Sequence, residues 1–289
     1  MHAVDCLCRL RRHRAGDADH ALIRVLTWNL WWHFGPWQER QSVIEKVLAD
    51  ENPDVVFLQE VHTTEQQAEH FAATLNYQVV VTQSEWQMGN AILSRWPIIR
   101  HGQVALPNAK GDPAHRRALF AVLDSPWGPW PVICTHLDHR FDESAVRLLQ
   151  VDAIADLALS LRGDPKIDLP VLLGGDFNAV PDSDEIRRLT GRISVRHPNL
   201  VFADMWELCG EDSGHTWSSA NPYLADANWP NRRLDYLFVS WPRPKPAGHP
   251  SKVWLAGVNP IDGVQGSDHY AVVADVRVPE IVSGATPSS

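Results

Sequence analysis

Long apolar runs are missing from this chain of 289 residues, although hydrophobic residues make up 44% of it. No run approaches the roughly 20 residues that a membrane-spanning helix needs. The arginine-rich start, residues 9–14, is not followed by an apolar segment, which excludes a secretory signal peptide. We therefore expect a cytoplasmic protein without a membrane segment.

Cysteine is also scarce, with four in the whole chain. Cys6 and Cys8 lie near the start, Cys134 lies in an apolar run, and Cys209 stands alone. A Cys-x-Cys without a second pair or suitably spaced histidines is a poor zinc site. Four reduced thiols, as in cytosolic proteins, are the preferred interpretation.

Positive charge is in the minority, with 26 Lys and Arg against 35 Asp and Glu and a formal net charge of -9. Proteins that grip long nucleic acids usually present a basic face, because neutralising phosphates supplies much of the affinity. A local basic groove is compatible with this total. The balance nevertheless favours a small phosphorylated substrate over unspecific cutting of DNA.

The chain does contain many short apolar runs that begin or end in polar residues. Unpaired polar groups cost several kcal/mol when buried, so they collect at strand ends where they can meet water or a ligand. The polar residues placed in this way are Asn29, Glu60, His136, Asp176, Asn178, Asp235, Asp268 and His269. Carboxylates, amides and imidazoles together suit a hard divalent cation and the hydrolysis of a phosphate ester.

The periodicity predicts four helices, and the short runs rich in Val, Ile and Leu predict strands. The predicted helices are 38–50, 64–75, 144–161 and 182–189, and the main strands are 78–82, 90–94, 98–104, 118–123, 130–135, 170–173, 234–239 and 270–277. Many strands and few helices indicate two packed sheets with helices outside. Because the polar motifs are spread from end to end, we expect one domain over 22–279, with disordered tails at 1–21 and 280–289.

Seven blocks carry a family resemblance: TWNLW, LQEV, GNAILSR, THL, GGDFNA, RLDYLFVS and GSDHY, spread from about Arg24 to about Val278. Their order resembles the endonuclease/exonuclease/phosphatase superfamily, which has the deoxyribonuclease I-like fold. The resemblance implies an α/β (α+β) four-layer sandwich of two mixed sheets flanked by helices. It also implies a metal-dependent phosphoesterase whose site lies at one end of the sheets.

The resemblance implies metal ligands among Asn29, Glu60 and Asp268, with Mg²⁺ as the cofactor and Mn²⁺ as a possible substitute. Mg²⁺ prefers octahedral oxygen coordination and keeps several waters, so one or two carboxylates suffice. The number of ions stays open. The alternative for Glu60 is a surface glutamate that ends a strand.

The catalytic residues that the resemblance implies are His136, Asp176, Asn178, Asp235 and His269. In this reading Asp176 orients or deprotonates the attacking water, while Asn178 and His136 donate to phosphoryl oxygens. The Asp235 carboxylate fixes the imidazole of His269. Whether Asp176 or His269 takes the proton is left open, and an Asx turn is the alternative for Asp176 and Asn178.

Candidates for substrate contact are Trp32, Asn90 and Trp217. Aromatic side chains in strand-end loops can stack a nucleobase. Packing in the core or in loops is the favoured alternative for most of the 13 tryptophans, and Asn90 could instead cap a strand. Arg116 and Arg117 could bind a second phosphate, but a solvated charged turn is preferred.

We therefore predict a metal-dependent phosphoesterase that acts by direct attack of water on a phosphodiester or phosphomonoester. The expected substrate is a nucleotide, a short nucleic acid or another small phosphorylated molecule, and no protein partner can be inferred. No Ser, Cys or Thr stands in a nucleophile-like setting, so a covalent intermediate is not indicated. The alternatives are a DNA repair-type endonuclease and a non-catalytic scaffold that kept the fold.

Overall fold

The computed structural model describes residues 21–83, 87–108 and 116–279. The predicted tails lie outside the described residues, except that Ala21 already belongs to the first strand. No helix in the described ranges is long and apolar enough to cross a membrane.

Twelve strands form two six-stranded mixed sheets in the described part of the chain. In chain order they are β1 (Ala21–Asn29), β2 (Val55–His62), β3 (Gln78–Val81), β4 (Met88–Ser94), β5 (Ile98–Ala105), β6 (Arg117–Ser125), β7 (Gly128–His136), β8 (Leu172–Asp176), β9 (Val201–Asp204), β10 (Asp235–Trp241), β11 (His249–Ala256) and β12 (Ala271–Val278). The first sheet has the order β11-β12-β1-β2-β4-β3, and the second has the order β5-β6-β7-β8-β10-β9.

Helices cover the outer faces of the sheets, except that the short fifth helix packs Met205 and Trp206 into the apolar cluster between the sheets. They are α1 (Trp37–Glu51), α2 (Gln67–Leu75), α3 (Ser144–Leu161), α4 (Asp184–Leu189) and α5 (Met205–Cys209), and a short 3₁₀ helix spans Pro222–Leu224. The four predicted helices are confirmed, with shifts of up to three residues at their starts. The structure adds β9, β11 and α5, which the sequence reading did not predict.

Three apolar clusters fill the spaces between the layers. One lies between the sheets and includes Val25, Phe57 and Val132. A second packs the first sheet against α1 and α2, and a third packs the second sheet against α3 and α4. Because the central strands are largely buried on both faces, they are mostly apolar. The predicted four-layer sandwich is therefore confirmed.

The only two parallel pairings among the described strands fix where the polar side chains meet. β1 is parallel to β2 after the crossover through α1, and β7 is parallel to β8 after the crossover through α3. Parallel neighbours end at the same edge of a sheet. The polar residues at their carboxyl ends therefore collect at one edge of each sheet.

Candidate active site

Strand register aligns three polar residues across the second sheet. His136 of β7 pairs with Asp176 of β8, and Asp176 pairs with Asp235 of β10. Directly paired residues point to the same face of a sheet. The three side chains, all buried, therefore stand in one row at the end of this sheet.

Asn29 connects this row to the first sheet. Its Nδ2 donates to Asp176 Oδ2 at 2.9 Å and to Glu60 Oε1 at 3.3 Å. Its Oδ1 accepts from the backbone N–H of Trp31 at 2.9 Å. In this orientation Asn29 presents its amide nitrogen to the carboxylates, so a metal contact through Oδ1 would require the amide to rotate. Its role as a ligand stays a prediction.

Glu60 reaches the site through an irregularity in β2. The register of β2 against β4 shifts between Leu58 and Val61, and Glu60 takes a φ of 53°. A bulge re-aims a side chain, and a positive φ at a residue other than glycine costs on the order of 1–3 kcal/mol. Burial raises the pKa of Glu60, although the charges of Arg116 and His269 oppose this shift.

The imidazole of His136 lies beside both carboxylates. Its Nε2 is 3.4 Å from Asp176 Oδ2 and 3.9 Å from Glu60 Oε1. Burial lowers the pKa of His136 well below its usual value, and the charge of Arg116 adds to this. At neutral pH this imidazole is therefore neutral, with one N–H to donate.

His269 forms a buried pair with Asp235, with 2.8 Å between His269 Nδ1 and Asp235 Oδ2. Burial alone would lower the pKa of His269, but the carboxylates of Asp235 and Asp268 outweigh it and raise the pKa well above its usual value. Asp235 Oδ1 is buried and has no hydrogen-bond partner among the described residues. The pair therefore favours a charged imidazolium next to Asp176.

Asp176 is held by hydrogen bonds at both oxygens. Its Oδ1 accepts from the backbone N–H of Asn178 at 2.8 Å, while Oδ2 accepts from Asn29. The first bond closes the Asx-type turn that is the alternative interpretation of Asp176 and Asn178. The turn is compatible with a place for Asp176 in the site. Burial raises the pKa of Asp176 to about 6, and Asp235 adds to the shift. Asn178 lies beside it, with its Nδ2 donating to the Leu137 carbonyl at 3.2 Å.

The segment before β12 completes the cluster. The hydroxyl of Ser267 donates to the Asn29 carbonyl at 2.6 Å, which ties this segment to the end of β1. Burial raises the pKa of the next residue, Asp268, to about 6, and the charges of Glu60 and Asp235 contribute. The charges of Asp268 and Glu60 therefore interact, while the role of Asp268 as a metal ligand stays a prediction.

The donor set fits a hard divalent cation. Burial raises the pKa of three carboxyl groups, those of Glu60, Asp176 and Asp268, so their negative charge is poorly compensated by the protein. Oxygen ligands with uncompensated charge are what Mg²⁺ or Mn²⁺ prefers. Ligand atoms of Asp176, Asp235 and His269 lie within 4.8 Å of one another, but Nδ1 of His269 is already occupied by Asp235. The roles of Glu60 and Asp268 as metal ligands stay predictions.

Arg40 is a residue that the sequence reading missed. Its fully buried guanidinium donates to the carbonyls of Leu30, Trp31, Trp32, Phe34 and Gly266, at 2.7–3.2 Å. It thus joins the loop after Asn29 to the segment before Asp268. A signal was present, because Arg40 lies on the apolar face of α1, three or four residues before Val43 and Ile44.

Arg116 also belongs to this end of the molecule. Arg116, for which the sequence favours a solvated charged turn, is half-buried, and its charge lowers the pKa of both Glu60 and His136. One of its terminal nitrogens lies 3.3 Å from His139 Nδ1. Arg116 therefore supplies positive potential beside the carboxylates.

The three predicted substrate-contact residues differ in their surroundings. Trp32 is half-buried, packs against the His33 ring at an interplanar angle of 56° and donates to the Gln87 carbonyl at 3.0 Å. Trp217 is half-buried and follows Thr216, whose hydroxyl accepts from the backbone N–H of Asp235 at 3.2 Å. Asn90 is buried, and its Nδ2 donates to the Arg117 carbonyl at 3.0 Å. Asn90 thus ties β4 to β6, and contact of either tryptophan with substrate stays a prediction.

Fold and site together place the chain among hydrolases of phosphate esters. The model of the Endonuclease/Exonuclease/phosphatase family matches residues 26–269, and the chain belongs to this family, whose members use divalent metals.

Individual relatives support the same assignment. The chain is 26% identical over 273 residues to tyrosyl-DNA phosphodiesterase 2 of Xenopus tropicalis, covering 90% of this chain and 67% of the relative. It is 26% identical over 290 residues to the uncharacterized protein F14F9.5 of Caenorhabditis elegans, covering 88% and 90%.

Solved structures share the fold at lower identity. Truncated Caenorhabditis elegans TDP2 superposes with a TM-score of 0.72 and 20% identity, covering 89% of this chain and 98% of that one. An endonuclease/exonuclease/phosphatase from Bacteroides vulgatus gives a TM-score of 0.70 and 18% identity, covering 90% and 99%. The predicted fold and family are therefore confirmed.

Proposed function

We propose that this protein is a Mg²⁺-dependent phosphodiesterase that cleaves nucleotide or short single-stranded nucleic acid substrates by direct attack of water. The observation that carries the proposal is the hydrogen-bonded cluster in which Asn29 joins Glu60 of one sheet to Asp176 of the other. The single domain over 22–279 is part of the same proposal.

Glu60 and Asp268 would hold the metal, with Asn29 beside them. When bound, the ion supplies positive charge that stabilises the phosphoryl oxygens and the leaving oxygen. The raised pKa values of Glu60 and Asp268 support this assignment, because the site has negative charge to spare.

Asp176 serves as the general base in this proposal. A pKa of about 6 lies close to neutral pH, where a base is both ionised and able to accept a proton. His269 is the weaker candidate, since its raised pKa keeps it protonated. A protonated His269, held by Asp235, would instead donate to a phosphoryl oxygen and stabilise its charge.

His136 and Asn178 complete the phosphate-binding set. The neutral imidazole of His136 can donate its N–H without adding charge, and its Nε2 is placed between Glu60 and Asp176. Asn178 provides an amide on the same loop as Asp176. Arg116 adds a cation that would balance the charge of the bound phosphate.

Aromatic side chains around the site support a substrate that carries rings. The ring of Phe141 lies 4.6 Å from that of Trp229, and the Arg232 guanidinium lies 4.4 Å from the Phe141 ring. Phe141 and Trp229 are about half exposed. The loops that carry them follow His136 and precede Asp235, and exposed aromatic side chains can stack bases of a single strand.

The relatives support the same substrate class. One group is named for tyrosyl-DNA phosphodiesterase activity, and a Danio rerio TDP2 was solved with a single-strand DNA product; that structure has a TM-score of 0.71 and 20% identity to this chain. The acidic net charge of this chain argues for short rather than long nucleic acids.

Hydrolysis of bis-p-nitrophenyl phosphate and p-nitrophenyl phosphate, with Mg²⁺, Mn²⁺ or EDTA, tests the centre. Wild type, Glu60→Gln and Asp176→Asn would be compared with Glu211→Gln, a control that removes an exposed carboxylate. We expect metal-dependent turnover that prefers the diester, falls at least 100-fold in the first two variants and is unchanged in the control.

Oligonucleotides then test the substrate class. A single strand, a duplex and a strand with a 5′-phosphotyrosyl end would be offered at equal concentration. Preference for single-stranded ends supports the proposal, while preference for internal cuts in a duplex supports a DNA repair-type endonuclease instead. Wild-type protein that binds no metal in a titration and cleaves none of these substrates would favour the scaffold.

A further inference from the structure

A buried ion pair joins α3 to α4 beside the loop that follows His136. Nε of Arg147 in α3 lies 2.6 Å from Oε1 of Glu185 in α4, and the two side chains are only 5% and 0% exposed. The other carboxylate oxygen of Glu185 accepts from the hydroxyl of Ser144 at 2.7 Å. Both oxygens of this buried carboxylate are therefore hydrogen-bonded to α3.

The guanidinium of Arg147 also holds the backbone of the loop after β7. Its Nη1 donates to the Asp138 carbonyl at 3.2 Å and to the Arg140 carbonyl at 2.5 Å. About one turn further along α3, Oε1 of the buried Gln150 accepts from the backbone N–H of Asp138 at 2.9 Å. Side chains of α3 thus fix the backbone of the loop 137–141.

The same loop begins at the candidate catalytic residues. Leu137 follows His136 directly, and its N–H donates to the Asp176 carbonyl at 2.9 Å. The Leu137 carbonyl accepts from Nδ2 of Asn178 at 3.2 Å. Glu185 follows Asn178 on the short stretch of chain that leads into α4. The ion pair therefore connects the segment after His136 with the segment after Asp176.

Packing of the helices does not by itself explain an ion pair at this place. Val151 and Ile154 of α3 and Ile186 of α4 belong to the apolar cluster that packs these helices on the second sheet. Burying two charges costs free energy, so replacing a buried ion pair by apolar residues is often neutral or stabilising. Apolar residues could pack α3 against α4, but they would leave the loop carbonyls without their donor. The planar fork of Arg147 supplies that geometry.

A second ion pair joins the same two helices and provides a comparison. Arg188 of α4 donates to both carboxylate oxygens of Asp152 in α3, at 2.6 and 2.8 Å. Its Nη1 donates to the Ser194 carbonyl at 2.8 Å. These bonds support the packing of α3 on α4 and the segment after α4, rather than the loop after β7.

We propose that Arg147 and Glu185 are positioning residues of the active site. They set the backbone of the loop 137–141, and through it they hold the imidazole of His136 and the amide of Asn178 where these groups donate to phosphate oxygens. The roles of Arg147 and Glu185 rest on the proposed phosphodiesterase function.

The test compares two double variants that each replace one ion pair by apolar residues. Arg147→Met/Glu185→Leu removes the pair beside the loop, and Arg188→Met/Asp152→Leu is the matched control on the same helices. Steady-state kinetics with bis-p-nitrophenyl phosphate and Mg²⁺ give kcat and KM, and urea unfolding gives the stability of each variant. Hydrogen exchange followed by NMR measures the loop amides without reference to catalysis.

We expect kcat to fall by about 10²-fold in Arg147→Met/Glu185→Leu, with a smaller change in KM, because small misplacements of catalytic groups cost this much. Exchange of the Leu137 and Asp138 amides should be about tenfold faster than in the control variant, because their local order is lost while the fold is kept. The control should keep kcat within threefold of wild type.

A further variant covers the case in which Arg147→Met/Glu185→Leu does not fold. Arg147→Lys keeps a charge beside Glu185 but lacks the fork that reaches the carboxylate and the loop carbonyls together. It should show the same two effects at smaller size, with kcat reduced by about tenfold.

Two results would overturn the proposal. One is a kcat that is equal in the two double variants, since the pair beside the loop would then matter only for packing. The other is equal exchange of the Leu137 and Asp138 amides in the two variants, since the pair would then not hold the loop. Wild-type protein without turnover would instead overturn the proposed function, and exchange alone would then decide whether the pair holds the loop.

Discussion

The two ends of β10 carry opposite charge. Asp235 begins the strand within a cluster of buried carboxylates, and Trp241 ends it at a cavity lined by basic side chains. At the first end burial raises the pKa of Asp176 and Asp268, and at the second it lowers the pKa of Arg243 and His249. At the acidic end the charge of His269 offsets the effect of burial only in part.

The difference in charge between the two ends of β10 bears on the ligand that each end can bind. Like charges held together cost folding free energy, so sites of this kind are found where a ligand supplies the opposite charge. A divalent cation suits the acidic end. The apolar clusters between the layers supply the folding free energy that offsets the cost of these like charges.

The largest effect at the acidic end is expected from removing the Asp235 carboxylate, which lies beside the His269 imidazole. In Asp235→Asn the imidazole loses the partner 2.8 Å from its Nδ1, so its pKa should fall and its orientation should no longer be fixed. We expect kcat to fall by about 10²–10⁴-fold with a smaller change in KM. The measurements are steady-state kinetics and the NMR titration of His269.

A matched control for this substitution is Asp226→Asn, at an exposed position in the loop before β10. It should retain full activity. If Asp235→Asn kept kcat within threefold of wild type, His269 would not act through Asp235, and the pair would be structural.

Arg40 provides a second test of the acidic end. Its guanidinium supports the site without contacting the carboxylates. Arg40→Met keeps the apolar stem but leaves carbonyls of the Leu30–Phe34 segment and of Gly266 without their donor. Each unsatisfied buried group costs about 1–3 kcal/mol, so we expect a loss of about 2–4 kcal/mol in unfolding free energy. Activity should also fall about tenfold, since Asn29 and Asp268 lose their common support.

Urea unfolding and kinetics in the same buffer check this prediction. Glu39→Gln, one residue earlier on the exposed face of α1, is the control and should change neither quantity. Arg40→Lys keeps the charge but not the fork of donors, and should recover only part of the stability. Full recovery by Lys would show that charge alone, rather than the set of hydrogen bonds, is what matters.

The pH dependence of the stability of the metal-free protein tests the acidic end. Burial raises the pKa of Asp176 and of Asp268 from 3.8 to about 6 in the folded state. Between these values the folded protein holds protons that the unfolded chain has released. Stability in EDTA should therefore fall as the pH rises from about 4.5 to about 6.5, by on the order of 2 kcal/mol.

Bound metal should reverse this loss of stability at higher pH, because it replaces the protons on the two carboxyl groups. The increase in Tm caused by Mg²⁺ should be small at pH 4.5 and largest above pH 6.5, as measured by thermal melting at fixed Mg²⁺. Asp268→Asn should flatten both curves. A Mg²⁺ effect that is equal at all pH values would contradict carboxylate ligation at this end.

Much of the acidic end could be predicted from sequence, and the basic end could not. Asn29, His136 and Asp176 each end a strand, and Glu60 lies two residues before the end of β2, so their convergence follows largely from strand polarity. The basic cavity brings Arg243, Lys245 and His249 together with Arg277, and the last of these is joined to them only by the pairing of β11 with β12. The periodicity of the sequence does not predict a cross-strand neighbour of this kind.

The missed elements have similar physical reasons. β9 has four residues, and β11 contains Pro250, Ser251 and Lys252 with a shift of register, so neither is an apolar run. The burial of Arg40 depends on the loop after Asn29 folding over it, which is a tertiary effect. Charged residues near a motif are therefore easily taken for solvated ones.

The smallest expected effect concerns the backbone that aims Glu60 at the site. Its φ of 53° is easily adopted by glycine but strained for other residues. In EDTA, Glu60→Gly should therefore be more stable than Glu60→Ala by about 1 kcal/mol, because both lose the carboxylate and only Ala keeps the strain. The same pair of substitutions at Gln59, the preceding position in β2, should favour Ala instead.

Urea unfolding of the four variants measures this difference directly. If Glu60→Gly and Glu60→Ala were equally stable while the Gln59 pair behaved as expected, the bulge would carry no strain. Glu60 would then be held at the site by its side-chain bond to Asn29, rather than being placed there by the backbone. A preference for Gly at position 60 alone would instead show that β2 departs from regular strand geometry to bring a carboxylate to the acidic end.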